Sequence, residues 1–293
     1  MFLPAIKKVY FEITNVCNLN CSFCPGTKRQ KSFVSLEDFE RTTDKIKGRV
    51  TYLYLHLMGE PTIHPELCEI LRIANEKGFK VIVTTNGTTL AEKGRLLIEN
   101  GKIHKVSISL HSFEANDKSG ISMDKYLDDC FSFAREAALK DIITVFRLWN
   151  LDGEMTVGQN ELNDKILTQM KRFFGDGWVD TRSGKRICDK VFLEYGEKFE
   201  WPDVDGAELF SEEEKFFCHG LRDQIGILCD GTVVPCCLDS EGNIPLGNIF
   251  ESSYDDIMGS EKVKNFYDSV SARRCPSALC ATCEYARRFL RKK

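Results

Sequence analysis

Over its first two hundred residues the chain switches repeatedly between two hydrophobic periods, and this alternation constrains its fold more than any single motif. Short β-like runs lie at Lys8–Thr14, Thr51–Leu57, Lys80–Thr85, Lys105–Leu110, Ile142–Trp149 and Lys190–Tyr195. Amphipathic stretches separate them at Ser35–Ile46, His64–Lys77, Leu90–Glu99, Met123–Leu139 and Glu161–Phe174. Strand then helix, over and over, predicts βαβ units and a parallel sheet. The expected fold class is α/β, a partial (βα)6 TIM-like barrel, with its chemistry at the C-terminal ends of the strands.

Neighbouring residues of a strand face opposite sides of the sheet. In Lys105–His111 the apolar set Val106, Ile108 and Leu110 should pack on helices. That turns Ser107, Ser109 and His111 inward. In Ile142–Asn150 the shared face is Val145, Arg147 and Trp149. Such an interior suits a cofactor cavity better than a filled core. Past residue 200 the alternation stops. Gln224–Leu238 reads as two strands joined by Asp230-Gly231, a two-residue hairpin signal, and Tyr254–Val270 reads as one helix. Residues 1–205 are therefore expected to form the core, and 206–293 a small second domain held by metal. Asn150–Arg186 should carry an inserted loop as well as its helix.

Apolar residues make up 42% of the chain and charged residues 29%, with a net charge of −4. No basic excess is available for a phosphate backbone, so nucleic acid is not an expected partner. No apolar run is long enough for a bilayer, and the first residues do not read as a signal peptide. A cytoplasmic protein without a membrane partner is expected. The thirteen cysteines are an odd number, which argues against a disulfide framework. Cys68, Cys130 and Cys188 are scattered and read as small hydrophobes. The rest cluster, three within 17–24 and seven within 218–283, as metal ligands do.

Cys17-Asn18-Leu19-Asn20-Cys21-Ser22-Phe23-Cys24 follows the first strand. Three thiolates leave one position of a metal centre open, the mark of a catalytic site. This C-x3-C-x2-C pattern, with Phe23 before its last cysteine, resembles the signature of the radical S-adenosylmethionine (SAM) superfamily. Met58-Gly59-Glu60-Pro61 resembles the family's Gly-Gly-Glu-Pro segment, which contacts the methionyl amino group, with Met58 in place of the first glycine. Asn86, Ser107, Ser109 and Arg147 stand where members touch SAM. The resemblance covers roughly residues 8–200 and implies a [4Fe–4S] cluster on Cys17, Cys21 and Cys24. It also implies cleavage of SAM to a 5′-deoxyadenosyl radical that takes a substrate hydrogen. A reductant such as flavodoxin or ferredoxin is implied as partner.

Gly231-Thr232-Val233-Val234-Pro235-Cys236, Leu246-Gly247-Asn248-Ile249 and Cys280-Ala281-Thr282-Cys283 resemble the family's auxiliary modules, SPASM and twitch. With no cysteine after Cys283, the shorter twitch form fits better. Cys218, Cys236, Cys280 and Cys283 would then hold one closed auxiliary [4Fe–4S] cluster. Cys237 could replace Cys236, Cys275 could complete the site, and C-x2-C also fits zinc. By this resemblance the function is oxidoreductase chemistry, the two-electron dehydrogenation of a small hydroxylated substrate with the auxiliary cluster as electron acceptor. Arg147, His56 or His111 would take the hydroxyl proton. The alternatives are a peptide- or protein-modifying maturase and a non-catalytic electron carrier. Only sixteen residues precede Cys17, which leaves no room for an N-terminal peptide-recognition domain. Cys188 is a further candidate, as a thiol that returns a hydrogen atom to a product radical.

Overall fold

The computed structural model describes residues 6–100, 102–116, 122–151, 161–206, 210 and 215–289. Its backbone is one open sheet. In chain order the elements begin β1 (Lys8–Phe11), α1 (Leu36–Ile46), β2 (Tyr52–Tyr54), α2 (Leu67–Glu76), β3 (Lys80–Thr85) and α3 (Leu90–Glu99). They continue β4 (Lys105–Ser109), the one-turn α4 (His111–Glu114), α5 (Met123–Ala138), β5 (Ile143–Leu151) and α6 (Asn163–Phe174). Then come β6 (Val179–Thr181), β7 (Gly184–Cys188), β8 (Val191–Glu197), β9 (Gln224–Ile227), β10 (Thr232–Val234) and β11 (Gly247–Asn248). The last helices are α7 (Tyr254–Met258), α8 (Glu261–Ser271), α9 (Ala278–Ala281) and α10 (Glu284–Arg287).

The sheet order is β11-β10-β9-β1-β2-β3-β4-β5-β8-β7-β6. β1 to β5 and β8 pair in parallel, giving the six-stranded α/β core expected from the alternation. Local signals set the helix starts. The Ser35 and Ser122 side chains accept the Asp38 and Lys125 amides and cap α1 and α5. On α1 the buried positions are Phe39, Thr42, Thr43 and Ile46, one stripe along the helix. Phe39 stacks on Phe11 of β1 at 5.3 Å. A fully buried side chain of this size contributes about 1.5–3 kcal/mol.

Three features depart from the sequence expectation. Tyr254–Val270 is two helices, because Gly259 closes α7 and the Ser260 side chain accepts the Val263 amide to cap α8. An antiparallel hairpin, β6–β7, lies in the Asn150–Arg186 segment and extends the sheet beyond β8. The inserted loop expected there falls largely on 152–160, outside the described residues. The third concerns the strands after residue 205. β9 pairs in parallel with β1, Phe11 opposite Ile227, so the C-terminal hairpin continues the core sheet. No helix among the described residues is long and apolar enough to cross a membrane.

Candidate functional site

β1 delivers the chain to the first cysteine loop, and hydrogen bonds close the loop at its base. The Thr14 hydroxyl donates to the Ser32 carbonyl at 2.9 Å. The Asn15 side chain donates to the Gln30 carbonyl and accepts the Ser32 amide, at 2.9 and 2.8 Å. The sulfurs are met by N–H donors. Leu19 N and Gly26 N lie 3.5 Å from Cys17 and Cys24 Sγ, and Asn116 Nδ2 lies 3.0 Å from Cys21 Sγ. Such donors steady thiolate ligands and tune a cluster.

The Met58–Glu60 turn packs directly against this base. Gly59 has φ +76°, and a Cβ there would meet the backbone of Thr14, Asn15 and Val16. Glu60 N donates to Val16 O at 2.8 Å. The Glu60 carboxylate is wholly buried and accepts Thr62 N at 3.1 Å, Thr62 Oγ1 at 2.6 Å and Asn86 N at 2.7 Å. Burial pushes its carboxyl pKa up, and the hydrogen bonds from Thr62 and Asn86 oppose the rise. Asn86 Nδ2 donates to Asn18 Oδ1 at 2.9 Å and stands 4.0 Å from Cys17 Sγ. Gly59, Glu60 and Asn86 are thus gathered beside the three cysteines. A glycine cradle, amide-donor sulfurs and an acceptor carboxylate together fit a SAM-binding cluster.

A cavity of about 280 Å³ is bordered by Phe23 of the cysteine loop, while Cys17, Cys21, Cys24, Gly59, Glu60 and Asn86 do not line it. Phe23, Ser109, His111 and Arg147 line one part, and Cys218, Cys236, Cys237, Cys280 and Cys283 another. Tyr10, Tyr54 and His56 line it too, with the two tyrosine rings stacked at 4.4 Å. Ser107 does not reach the cavity. It is fully buried, and its hydroxyl has no hydrogen-bond partner among the described residues. The Arg147 guanidinium lies 4.4 Å over the Trp149 ring, and its Nε stands 3.9 Å from Glu194 with no hydrogen bond among the described residues. His56 Nδ1 is also buried and has no hydrogen-bond partner among the described residues.

Burial lowers the His56 pKa to about 3 and the His111 pKa to about 4, with the Arg147 charge adding to both shifts. Both rings are neutral near pH 7. His111 Nδ1 lies 3.1 Å from the Arg147 carbonyl oxygen and 3.4 Å from the Trp149 amide, between an acceptor and a donor. The Phe23 ring sits 5.0 Å from that imidazole.

In the C-terminal module Cys218 Sγ accepts Gly220 N at 3.2 Å, and Ser277 caps the turn carrying Cys280. Burial pushes the thiols of Cys218, Cys236 and Cys280 up, and that of Cys283 to about 11. A cationic centre is what ionises thiols in such a setting. Among the described residues no three Cys, His or carboxylate groups converge on one point as a single ion requires. A cluster instead gives each cysteine its own iron. Cys275 and Cys229 do not line the cavity. Cys229 Sγ donates to the Glu12 carbonyl at 3.2 Å. Cys188 is exposed on β7 and also lies away from the cavity.

Sequence reasoning missed Asn116, Tyr10, Tyr54 and Glu12. Inward alternation along β1 and β2 could have found the tyrosines. Asn116 follows the one-turn α4, and nothing in the pattern marks it.

The sequence pattern of the radical SAM superfamily matches residues 11–155, and that of SPASM, an iron–sulfur cluster-binding domain, matches residues 218–284. The chain is 26% identical to the antilisterial bacteriocin subtilosin biosynthesis protein AlbA of Bacillus subtilis (strain 168), over 93% of its own length and 66% of AlbA's. It is 31% identical to a probable GTP 3',8-cyclase of Sulfurisphaera tokodaii, covering 94% of this chain and 95% of that protein. Its fold matches BtrN in complex with AdoMet and 2-DOIA, with a TM-score of 0.62, 16% identity, and 97% and 94% of the two chains covered. It also matches Streptococcus suis SuiB bound to precursor peptide SuiA, with a TM-score of 0.60, 16% identity and 99% and 74% coverage. The chain belongs to the radical SAM superfamily, carries a SPASM iron–sulfur domain behind its core, and takes SAM, a SAM-binding [4Fe–4S] cluster and auxiliary iron–sulfur as its cofactors.

Proposed function

We propose that the chain is an oxidoreductase that removes two hydrogens from a substrate bound in the cavity. One observation carries this reading: SAM-side residues (Phe23, Ser109, His111, Arg147) and auxiliary cysteines (Cys218, Cys236, Cys280, Cys283) line one continuous space. A substrate there touches both. When bound, SAM and its cluster supply a hydrogen-atom acceptor, and the auxiliary cluster an acceptor for one electron. Cys17, Cys21 and Cys24 hold the first cluster in this reading, and Cys218, Cys236, Cys280 and Cys283 the second. Gly59, Glu60, Asn86 and Ser109 seat SAM.

The chain's own work is to position the substrate and manage its proton. His56 and His111, kept neutral, accept hydrogen bonds from the reacting group. The Arg147 cation steadies negative charge as a hydroxyl proton leaves. Arg147 and Lys198 line the cavity and no described carboxylate does, which favours a substrate bearing oxygen or negative charge. Reduced flavodoxin or ferredoxin is the expected electron donor.

A peptide substrate is the second reading. Phe199, Trp201 and Tyr285 form an aromatic wall, with ring centroids 5.8 and 5.5 Å from Phe199, suited to an apolar side chain. SuiB is bound to a precursor peptide, and AlbA serves the biosynthesis of a bacteriocin. Anaerobic incubation with SAM and reductant should yield 5′-deoxyadenosine. With the true substrate, mass spectrometry should show a product lacking two hydrogens. A product of unchanged mass, or one that gains adenosyl, would refute the oxidation.

A further inference from the structure

We infer that Glu12 is a positioning residue that locks the SAM-facing turn, the first cysteine loop and the C-terminal module into one frame. The inference rests on membership of the radical SAM superfamily and on Cys17, Cys21 and Cys24 as cluster ligands. It does not depend on which substrate is oxidised.

Glu12 follows β1 directly and is fully buried. Its carboxylate accepts from three parts of the chain. Arg29 Nη2 reaches both oxygens, at 2.7 and 2.8 Å. Met58 N reaches Oε2 at 3.1 Å, and Cys229 N reaches Oε1 at 3.3 Å. Arg29 belongs to the segment that closes the cysteine loop, Met58 opens the Gly59–Glu60 turn, and Cys229 begins the turn between β9 and β10.

The ties continue outward. Arg29 Nε donates to Ser240 O at 2.8 Å, and Lys28 N donates to the Glu241 carboxylate at 3.1 Å. Ser240 and Glu241 follow closely on Cys236. A bridge therefore runs from the residues after Cys24 to the residues after Cys236.

Every partner of this carboxylate is a donor, so no neutral side chain replaces it. An amide would turn its own N–H₂ towards N–H groups and strand a buried donor. Because Gly59 rests on the carbonyls of Thr14 and Val16, a shift of Met58 N carries straight into the turn beside the cluster loop. Seating of the C-terminal module and geometry of the SAM-facing turn are then coupled through one carboxylate.

The test uses reconstituted holoenzyme carrying Arg29→Lys, which keeps the cation but loses the forked contact and the Nε bond to Ser240. Iron content should stay at the wild-type level. SAM affinity should fall roughly tenfold, the size of a typical coupling between sites. The change that SAM causes in the electron paramagnetic resonance signal of the reduced cluster should shrink, and the Met58 amide should exchange faster. Glu12→Asp should show the same pattern. A merely structural role would lower iron content and thermal stability while the loaded fraction kept wild-type SAM affinity. Full iron with unchanged SAM affinity and unchanged exchange at Met58 would overturn the inference. If neither variant loads iron, the wild-type holoenzyme decides. Met58 and Cys229 amides should open with the same protection factor, and clearly separate values would overturn it.

Discussion

Gly59→Ala tests the close approach on which the Met58–Glu60 turn depends. The residue has φ +76°, a conformation that costs a residue with Cβ about 1–2 kcal/mol. The new methyl would also meet the Thr14 carbonyl oxygen, lie 2.8 Å from Val16 O and 2.9 Å from Asn15 Cα. These neighbours are backbone and cannot swing aside, so overpacking adds about 1–3 kcal/mol. Gly78→Ala is the matched control, since φ is +83° and nothing lies within 4 Å of its Cβ. It carries the conformational cost alone. At roughly 2–4 °C per kcal/mol for a chain of this size class, Gly78→Ala should lose about 2–8 °C in Tm. Gly59→Ala should lose roughly 4–20 °C by the same conversion. Thermal unfolding under anaerobic conditions measures both, and calorimetric titration with SAM should show binding lost in Gly59→Ala only. Equal Tm losses in the two variants, with SAM binding intact in both, would refute the argument that the turn is pressed against the cysteine loop.

Acidification should expose the buried imidazoles. His56 and His111 have folded pKa values depressed below 6.5, to about 3 and about 4. Their stabilisation is therefore complete above about pH 6.5 and is lost as pH falls towards 4. For His111 it amounts to roughly 3 kcal/mol, so the Tm of His111→Gln should fall less steeply than wild type over that window. Parallel curves would contradict the burial. Two clusters predict about eight irons per chain, and replacing Cys17, Cys21 and Cys24 together by Ala should leave about half. A zinc content in place of iron would sink the assignment. Cys236→Ala should lower iron content while Cys237→Ala should not, and the reverse result would exchange their roles. Glu60→Gln should weaken SAM binding by about 1–3 kcal/mol, because Thr62 and Asn86 each lose a charged acceptor. Unchanged binding would remove Glu60 from the site.

Local grammar made much of the core legible. Lys80–Thr85 and Leu90–Glu99 have the same bounds in sequence and structure, since an apolar β-branched run and an amphipathic stripe each end at clear polar breaks. The inward serines of β4 followed from alternation alone, yet only Ser109 reaches the cavity. Depth along a strand depends on register with its neighbours, which a single strand does not reveal. Hairpin β6–β7 escaped because Val179–Thr181 is exposed throughout and shows no hydrophobic period. Cys236 and Cys237 stand side by side, so spacing cannot separate them, and both border the cavity. Nothing in the sequence pattern marks Glu12. Its partner Cys229 lies 217 residues away, and no window on the sequence spans that distance.

The parallel pairing of β9 with β1 bears on how the protein is made. The strand that feeds the first cysteine loop is synthesised long before residues 224–227, which cover one of its two flanks. Until synthesis passes that point, β1 presents an unprotected border of amide and carbonyl groups. Such a border invites pairing with other chains. A nascent or truncated product ending near residue 205 should therefore aggregate instead of forming a free-standing barrel. Iron–sulfur loading of the first loop would then follow synthesis of residues 224–227.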